Sequence, residues 1–142
     1  MSIDANKQLV RRWFEEAWNK GSAEAIDAMC APHAVVHGLG GTDPAGLDAL
    51  RALHSKFHAA FSDSRVQIDR MVAEGDMVAV HWTRTATHSG NTLGFPATGR
   101  TITFAGTLFV RIEGGKLVES WNFVDQAGML QQLGRPELSR AL

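Results

Sequence analysis

Asp125 and three histidines are the side chains of this sequence whose types and positions suit proton transfer. Asp125 follows Phe123 and Val124, so its carboxylate emerges beside apolar side chains. Removal from water at such a place would raise the pKa of the carboxylate and make it a stronger base. The segment from Asp125 to Leu130 is also typical of a helix with an aspartate N-cap, which would stabilise the charged form. The residues alone favour the cap over the acid/base role.

His37, His81 and His88 are candidate donors that could polarise a carbonyl oxygen beside such a base. His37 precedes the glycine loop Gly38–Gly41, at the expected rim of a cavity. His81 and His88 fall on opposite faces of one predicted strand if no bulge intervenes. For each of the three histidines, a surface or packing role is the alternative.

Other catalytic and metal-binding patterns are missing from the sequence. It has no Gly-x-Ser-x-Gly segment, and the glycines at 38, 40 and 41 are not followed by the lysine of a phosphate loop. The pairs His33/His37 and His54/His58 have a four-residue spacing, but no acidic ligand accompanies either pair. We therefore expect no metal site, and we expect His54 in a helix interface.

Composition and charge are those of an ordinary globular chain. The 142 residues are 44% hydrophobic and 20% charged, with a net charge of -1. No run of like charges could attract the phosphates of a nucleic acid, and no stretch approaches the roughly 18 apolar residues of a membrane span. The N-terminus has no apolar signal-peptide core, and the single Cys30 is expected as a buried, reduced thiol. These observations predict a cytoplasmic location with no nucleic-acid or membrane partner.

Three helices are predicted in the first half of the chain. The first has an apolar stripe at three- and four-residue spacing, formed by Leu9, Val10, Trp13, Phe14, Ala17 and Trp18. Ser2 or Asp4 can cap its start, and Gly21 is a natural stop. Ser22 is expected to cap a short second helix. The third helix is expected to begin after a cap at position 42 or 43, with Pro44 in its first turn.

After this helix the apolar period changes from 3.6 to 2, which predicts strands. Beside a short strand at 33–37, strands are expected at 66–71, 77–88, 100–112 and 117–124, followed by a helix at 126–133. Tight turns at 74–76 and 113–116 and a loop with two turn signals at 89–99 join the last four strands, and sequential strands joined by tight turns must be antiparallel. On the strand at 77–88, Val78 and Trp82 share a face with Arg84, so the pattern does not settle which face is inward.

The predicted fold is α+β, a single domain over residues 1–142. Helices pack on a curved antiparallel sheet and enclose an apolar pocket. Gly106 lies in the middle of a strand, where it permits a bend and so an open mouth. The candidate pocket walls are Trp121, Trp13, Phe95, Phe104 and Trp82. Each of these side chains could equally be a core residue without a function.

A succession of C-terminal segments resembles one known family. The segments are Gly94-Phe95-Pro96-Ala97-Thr98-Gly99, Phe109-Val110-Arg111-Ile112, Lys116-Leu117-Val118-Glu119-Ser120-Trp121 and Gln132-Leu133-Gly134, with Asp125 between the last two. Their order and spacing resemble the SnoaL-like polyketide cyclases of the nuclear transport factor 2-like superfamily, over nearly the whole chain. The resemblance implies a cone-shaped α+β barrel, a homodimer formed through the sheet, and no metal or organic cofactor.

The resemblance also implies an activity. In these cyclases an aspartate at the end of the last long strand is the general acid/base of an intramolecular aldol condensation, and the matching position is Asp125. The resemblance favours the acid/base role of Asp125 over its role as a helix cap. The sequence thus indicates a cyclase or isomerase acting on a small apolar or polyketide-like molecule. Two alternatives are a non-catalytic binding domain and an epoxide hydrolase of the limonene type, for which Arg84 or Arg111 could supply the arginine but no second inward aspartate is apparent.

Overall fold

The helices and strands follow one another along the chain much as the apolar periods predict. The computed structural model describes residues 2–141. The helices are α1 (Ile3–Trp13), α2 (Glu24–Met29), α3 (Leu47–Ala60) and α4 (Gln126–Gln132), and a π-helical segment, Phe14–Asn19, continues α1. The strands are β1 (Cys30–His37), β2 (Arg65–Glu74), β3 (Met77–Thr87), β4 (Thr101–Glu113) and β5 (Lys116–Val124). A 3-10 turn, Pro136–Ala141, follows α4.

Helix α1 begins at its predicted cap. The Ala5 N–H donates to Oγ of Ser2 over 3.0 Å, which satisfies one of the free N–H groups at the helix start. The helix and its π-helical extension end before Gly21, whose φ of 68° is a left-handed conformation that glycine adopts without strain. Ser22 makes no side-chain cap for α2, whose N-cap is Ala23. The expected Ser22 cap is therefore wrong.

Helix α3 starts later than predicted. Its N-cap is Gly46, so positions 42 to 44 lie outside the helix. Val36 and Ala45 exchange two backbone hydrogen bonds of 2.9 Å, which hold the chain before α3 extended against the end of β1. The residues at 42–44 are of types that often begin a helix. However, the hydrogen bonds between Val36 and Ala45 use the backbone groups that a first helical turn at this point would need.

The five strands form one open sheet in the order β1-β5-β4-β3-β2. Neighbours among β2, β3, β4 and β5 are antiparallel, with tight turns between β2 and β3 and between β4 and β5, and a longer loop between β3 and β4. Strand β1 lies parallel to β5, with Val36 opposite Ser120 and His37 opposite Trp121. The sheet carries α1 and α3 on its concave face, so the predicted α+β fold is confirmed.

The concave face is set by residues that alternate along β3 and β4. Val78, Val80, Trp82, Arg84 and Ala86 are all buried, which settles the inward face of β3. On β2, both Ile68 and Met71 pack against the core, although they are three residues apart. A bulge between Ile68 and Arg70 makes this possible, because it shifts the inward and outward alternation by one residue.

Helix α4 is fastened to the edge of the cone by a side-chain amide. Gln132 donates from Nε2 to the Thr103 carbonyl over 2.7 Å and accepts from the Thr103 N–H over 3.0 Å. Leu130 and Leu133 are buried beneath this clamp. Within residues 2–141, none of the helices has both the length and the apolar composition that crossing a membrane requires.

Candidate functional site

A void lies between the π-helical segment, α3 and the concave sides of β1, β4 and β5. Its apolar walls include Trp13, Trp18, Leu47, Leu50, Leu108 and Val110. It measures about 420 Å³ including its opening to solvent. The part of it that the centre of a water molecule can reach is about 40 Å³, room for a few waters, so a larger ligand requires the walls to move apart. This is where the fold was expected to enclose an apolar pocket.

One wall of this void carries polar side chains. Ser120 and Asn122 are next-but-one neighbours on β5 and both line the void. Asn122 donates from Nδ2 to the His37 carbonyl over 3.0 Å and to Oγ of Ser120 over 3.2 Å. Because Oγ of Ser120 is the acceptor in the second contact, its own hydroxyl hydrogen is left to donate to a ligand.

Arg84 is a cation inside the cone. Only 5% of it is exposed, and its Cζ lies 4.9 Å from the ring centroid of Trp18, 4.5 Å from that of Phe57 and 5.2 Å from that of Trp82. Among residues 2–141 no hydrogen bond or ion pair involves Arg84, and its buried Nε has no partner. Burial lowers the pKa of Arg84 to about 10, so it stays charged at neutral pH.

No buried carboxylate among the described residues compensates this charge. The buried polar and charged residues of the described chain are Asn6, His54, Ser64, Arg84 and His88. An unpaired buried charge costs several kcal/mol, and a desolvated cation–π contact returns about 2 kcal/mol. An epoxide hydrolase of the limonene type would need two aspartates beside this arginine, and the described residues place none there.

His88 is the candidate histidine that faces the interior. It is fully buried, between Phe61 and Phe95 at centroid distances of 5.4 and 5.3 Å. The Thr98 N–H donates to its Nδ1 over 3.1 Å, so the neutral ring carries its proton on Nε2. Burial lowers the pKa of His88, an effect that the nearby Gly90 carbonyl only partly offsets. Within the described residues its Nε2 makes no hydrogen bond of normal geometry, although the Gly90 carbonyl is close enough to affect the ring.

His37 and Trp121 lie on the outer face of the sheet. His37 contacts Asp43 through Nδ1 at 2.9 Å and Glu119 through Nε2 at 2.8 Å, and its ring stacks on Trp121 at 5.3 Å. The hydrogen bond with Glu119 raises the pKa of His37 above its ordinary value. His37 thus ties the loop that carries Asp43 to β5.

His81 is on the outer face as well. Its Nδ1 lies 3.4 Å from the Asp69 carboxylate and 3.3 Å from Nη1 of Arg70. Its position on β3 is opposite in face to Trp82 and Arg84. The alternation along β3 thus separates His81 from His88, as the sequence pattern predicted.

Asp125 is exposed where β5 ends and α4 begins. Its Oδ1 accepts a hydrogen bond of 2.9 Å from the Gly128 N–H, and its own N–H donates to the Ala105 carbonyl over 3.0 Å. This is the geometry of the N-cap that the residues alone favoured.

The predicted aromatic wall residues fall into three groups. Trp13 lines the void, and Trp121 is on the outer face. Trp82 and Phe104 are buried edge to face at 6.0 Å beside Arg84, and Phe95 is buried against His88. The structure therefore brings Trp13, Trp82, Phe95, Phe104 and His88 into the interior, apart from His37, His81, Trp121 and Asp125.

His54 and His58 have a structural role. His54 Nε2 lies 2.6 Å from the Ala17 carbonyl, and His58 Nε2 lies 3.0 Å from the Trp18 carbonyl. These carbonyls belong to the end of the π-helical segment, where helix acceptors lack partners. The expectation of His54 in a helix interface is confirmed.

Two further observations concern metal and thiol chemistry. Residues 2–141 contain no group of three or more His, Cys, Asp or Glu side chains that could hold a metal ion. Cys30 is buried, as expected, and its burial, with the Asp27 charge, raises the pKa of the thiol to about 12. A thiol in that state is a poor nucleophile.

Ser120 and Asn122 are candidate functional groups that sequence reasoning did not single out, and Arg84 was considered only as the arginine of an epoxide hydrolase. Arg84 was visible as a polar residue in an apolar alternation, which could have marked it as an interior cation. Ser120 and Asn122 alternate with Glu119 and Trp121, so both faces of β5 carry polar groups. That pattern gives no signal of which pair lines a pocket.

Solved structures share this cone and its helices. AclR from Streptomyces galilaeus, provisionally assigned as a hydroxylase, superposes with a TM-score of 0.86 at 27% identity, covering 94% of this chain and 83% of its own. A protein from Acidithiobacillus ferrooxidans, provisionally assigned as a polyketide cyclase, gives a TM-score of 0.79 at 30% identity, with 96% and 99% covered. IdmH from Streptomyces antibioticus, with the same provisional assignment, gives 0.80 at 28% identity, with 91% and 98% covered.

The sequence comparison with families agrees with these superpositions. No functionally curated protein matches the chain. The model of the SnoaL-like polyketide cyclase family matches residues 8–133, which include Arg84, His88, Ser120 and Asn122. The chain belongs to the SnoaL-like polyketide cyclase family.

Proposed function

We propose that this protein is a cyclase- or isomerase-type enzyme that acts on a compact, mostly apolar, polyketide-like molecule in the void. The observation that carries the proposal is the polar wall of Ser120 and Asn122, beside Glu119, within a mostly apolar pocket. Such a pocket holds an apolar body and orients it by a few hydrogen bonds. The family and the provisionally assigned cyclases among the structural relatives support the same class of substrate.

The proposed chemistry is an intramolecular aldol step. A proton leaves the carbon next to a carbonyl, the resulting enolate attacks a second carbonyl, and the new alkoxide takes up a proton. The Ser120 hydroxyl and the Nε2–H of His88 are the donors proposed to hold the developing negative oxygens. Preorganised donors of this kind contribute rate factors of about 10² to 10³ each.

Asp125 is the proposed proton acceptor, from the resemblance, and its cap contact allows a clean test. Asparagine caps helices about as well as aspartate, whereas alanine does not. Asp125→Asn therefore removes the base and keeps the cap, while Asp125→Ala removes both. The assay is exchange of the α-proton of an aromatic β-keto ester in deuterated water, followed by NMR. We expect both variants to lose roughly 10²-fold or more in exchange rate.

The same experiment addresses the second candidate function, a binding domain without chemistry. The exposed carboxylate of Asp125 and its bond to Gly128 favour that candidate. If Asp125→Asn exchanges the proton as fast as the unchanged protein, Asp125 is only a cap. If neither protein exchanges the proton faster than buffer while both bind the ester, the binding-domain hypothesis replaces the enzyme.

A homodimer formed through the outer face of the sheet is proposed as well. Phe109 and Phe123 are 45% and 62% exposed there, on neighbouring strands beside the half-buried Trp121. We call these three residues the outer aromatic patch. Exposed aromatic side chains grouped on one face are typical of a surface that a partner covers.

A further inference from the structure

Arg84 is an interior cation without a counter-ion in this fold. It has no hydrogen bond or ion pair within residues 2–141, and its Nε is buried without an acceptor. The three rings around it stabilise a positive charge from their faces, but they accept none of its five N–H donors. The guanidinium therefore keeps its in-plane donor capacity for an acceptor that enters the cone.

The surroundings of Arg84 carry no negative charge. The buried residues of the described chain include no Asp or Glu. The titratable groups that affect the neighbouring His54 are His58 and Arg84, and both disfavour its charged form. Glu119, the carboxylate that lines the void, is already paired with His37 and Arg111, so an incoming anion would meet the positive charge of Arg84 without a buried carboxylate beside it.

Arg84 is also next to the void. Trp18 lines the void and Arg84 lies over the Trp18 ring, with Cζ 4.9 Å from the ring centroid, although Arg84 itself is not part of the lining. Trp18 is only half-buried and packs on His54, Phe57 and His58 by ring contacts. Access from the void to the guanidinium therefore requires the Trp18 ring to move.

We propose that Arg84 is the anion-binding group of the pocket, and that the natural ligand is an apolar molecule carrying a carboxylate. The carboxylate pairs with the guanidinium in a bidentate contact, and the apolar body occupies the void after the Trp18 ring has turned aside. The proposal deepens the proposed function by naming the substrate class, and it rests on ligand binding in the pocket rather than on catalysis.

The experiment compares two probes of nearly equal shape, 2-naphthoate and its neutral amide, 2-naphthamide. Dissociation constants are measured by titration calorimetry, with tryptophan fluorescence as a second readout of Trp18 and Trp82. In the unchanged protein, naphthoate should bind roughly 10- to 100-fold more tightly than naphthamide. Arg84→Met, which keeps the length of the side chain, should abolish this preference while naphthamide binds as before.

Arg111→Met is the matched control, because Arg111 is a cation of the outer face paired with Glu119 and Glu113. It should leave the preference for naphthoate intact. Equal binding of the two probes to the unchanged protein overturns the proposal, as does failure of naphthoate to bind at millimolar concentration. These readings stand even if Arg84→Met does not fold.

The outcome is separable from that of the enzyme proposal. Preference for naphthoate together with full proton exchange by Asp125→Asn keeps the anion site and removes Asp125 as base. Loss of exchange in Asp125→Asn together with equal binding of the probes keeps Asp125 as the base and removes the anion site.

Discussion

On the outer face, His37 is held between the carboxylates of Asp43 and Glu119. The contact between His37 and Glu119 shifts the pKa of both residues. The hydrogen bond with Glu119 raises the pKa of His37 above 6.5, and the same bond lowers the pKa of Glu119 below 4.5. The stabilisation from His37 is full below pH 6.5 and is lost as the pH rises through the raised value. The stabilisation from Glu119 is present above pH 4.5 and is lost as the pH falls through the lowered value.

The tether of His37 should therefore be strongest between these two pH values. We expect an NMR titration of the His37 ring to have its midpoint above 6.5, and Glu119→Gln to move that midpoint down. Hydrogen exchange of residues 38–46 should speed up above the midpoint, because Asp43 loses its charged partner. His33→Gln, an exposed change on the same strand, is the control. A midpoint unaffected by Glu119→Gln would contradict the assignment.

At the residue scale, the sequence predicted local contacts better than long-range ones. The cap geometry of Asp125 follows from its own segment, since the bond to Gly128 spans three residues. The separation of His81 from His88 followed from strand alternation. The contacts of His37 could not be predicted, because Glu119 is far away in sequence and meets it only through the β1–β5 pairing. The same holds for Arg84, whose aromatic neighbours come from three different elements.

At the scale of elements, Gly106 on β4 shapes the concave face by lacking a side chain. A Cβ at this position would lie 2.3 Å from Cζ2 of Trp82 and 2.6 Å from the Phe123 carbonyl. The ring of Trp82 thus crosses the space above Gly106, and this position orients it toward Arg84 and Phe104. Glycine at position 106 is therefore required by the packing of Trp82, besides the backbone freedom for which the sequence predicted a bend there.

Gly106→Ala should lower the free energy of unfolding by about 1–3 kcal/mol, because Trp82 or the sheet must move. It should also change the tryptophan fluorescence of the folded protein. Gly41→Ala is the control: a Cβ there meets nothing within 4 Å, and its φ is not in the left-handed region. Its effect should stay within about 0.5 kcal/mol. Denaturant unfolding of both variants checks this, and equal effects would count against the packing account.

Element boundaries were predictable where only local chemistry decides them. The strand alternation and tight turns located β2 to β5 to within a few residues. The start of α3 was placed too early because Ala45 pairs with Val36, a tertiary contact with no local signal. The parallel β1–β5 pairing and the π-helical segment lie outside what periodicity can show, since both depend on partners from distant parts of the chain.

At the scale of the whole molecule, the outer aromatic patch carries the proposed homodimer. Phe123→Lys places a charge in the middle of that surface without touching the core. The dissociation constant of the dimer should rise by at least roughly tenfold, since central aromatic residues dominate such interfaces. Sedimentation equilibrium at micromolar concentration measures it.

Ile3→Lys is the matched control for this variant, because Ile3 is a 42% exposed apolar residue on α1, away from the sheet. It should leave the dimer intact. A monomeric unchanged protein at micromolar concentration, or equal effects of the two variants, would refute dimerisation through this face.

The parallel pairing of β1 with β5 also bears on how the chain is made. A ribosome releases β1 long before β5, and no earlier strand offers β1 its partner. Until the last strand emerges, the edge of β1 and the void beneath α3 have no wall on that side. During most of its synthesis the nascent protein therefore has an unpaired β1 edge. This favours protection by chaperones and a late, cooperative pairing of β1 with β5. The polar wall of Ser120 and Asn122 is assembled in that closing step, so a ligand has a complete pocket only when the whole chain is present.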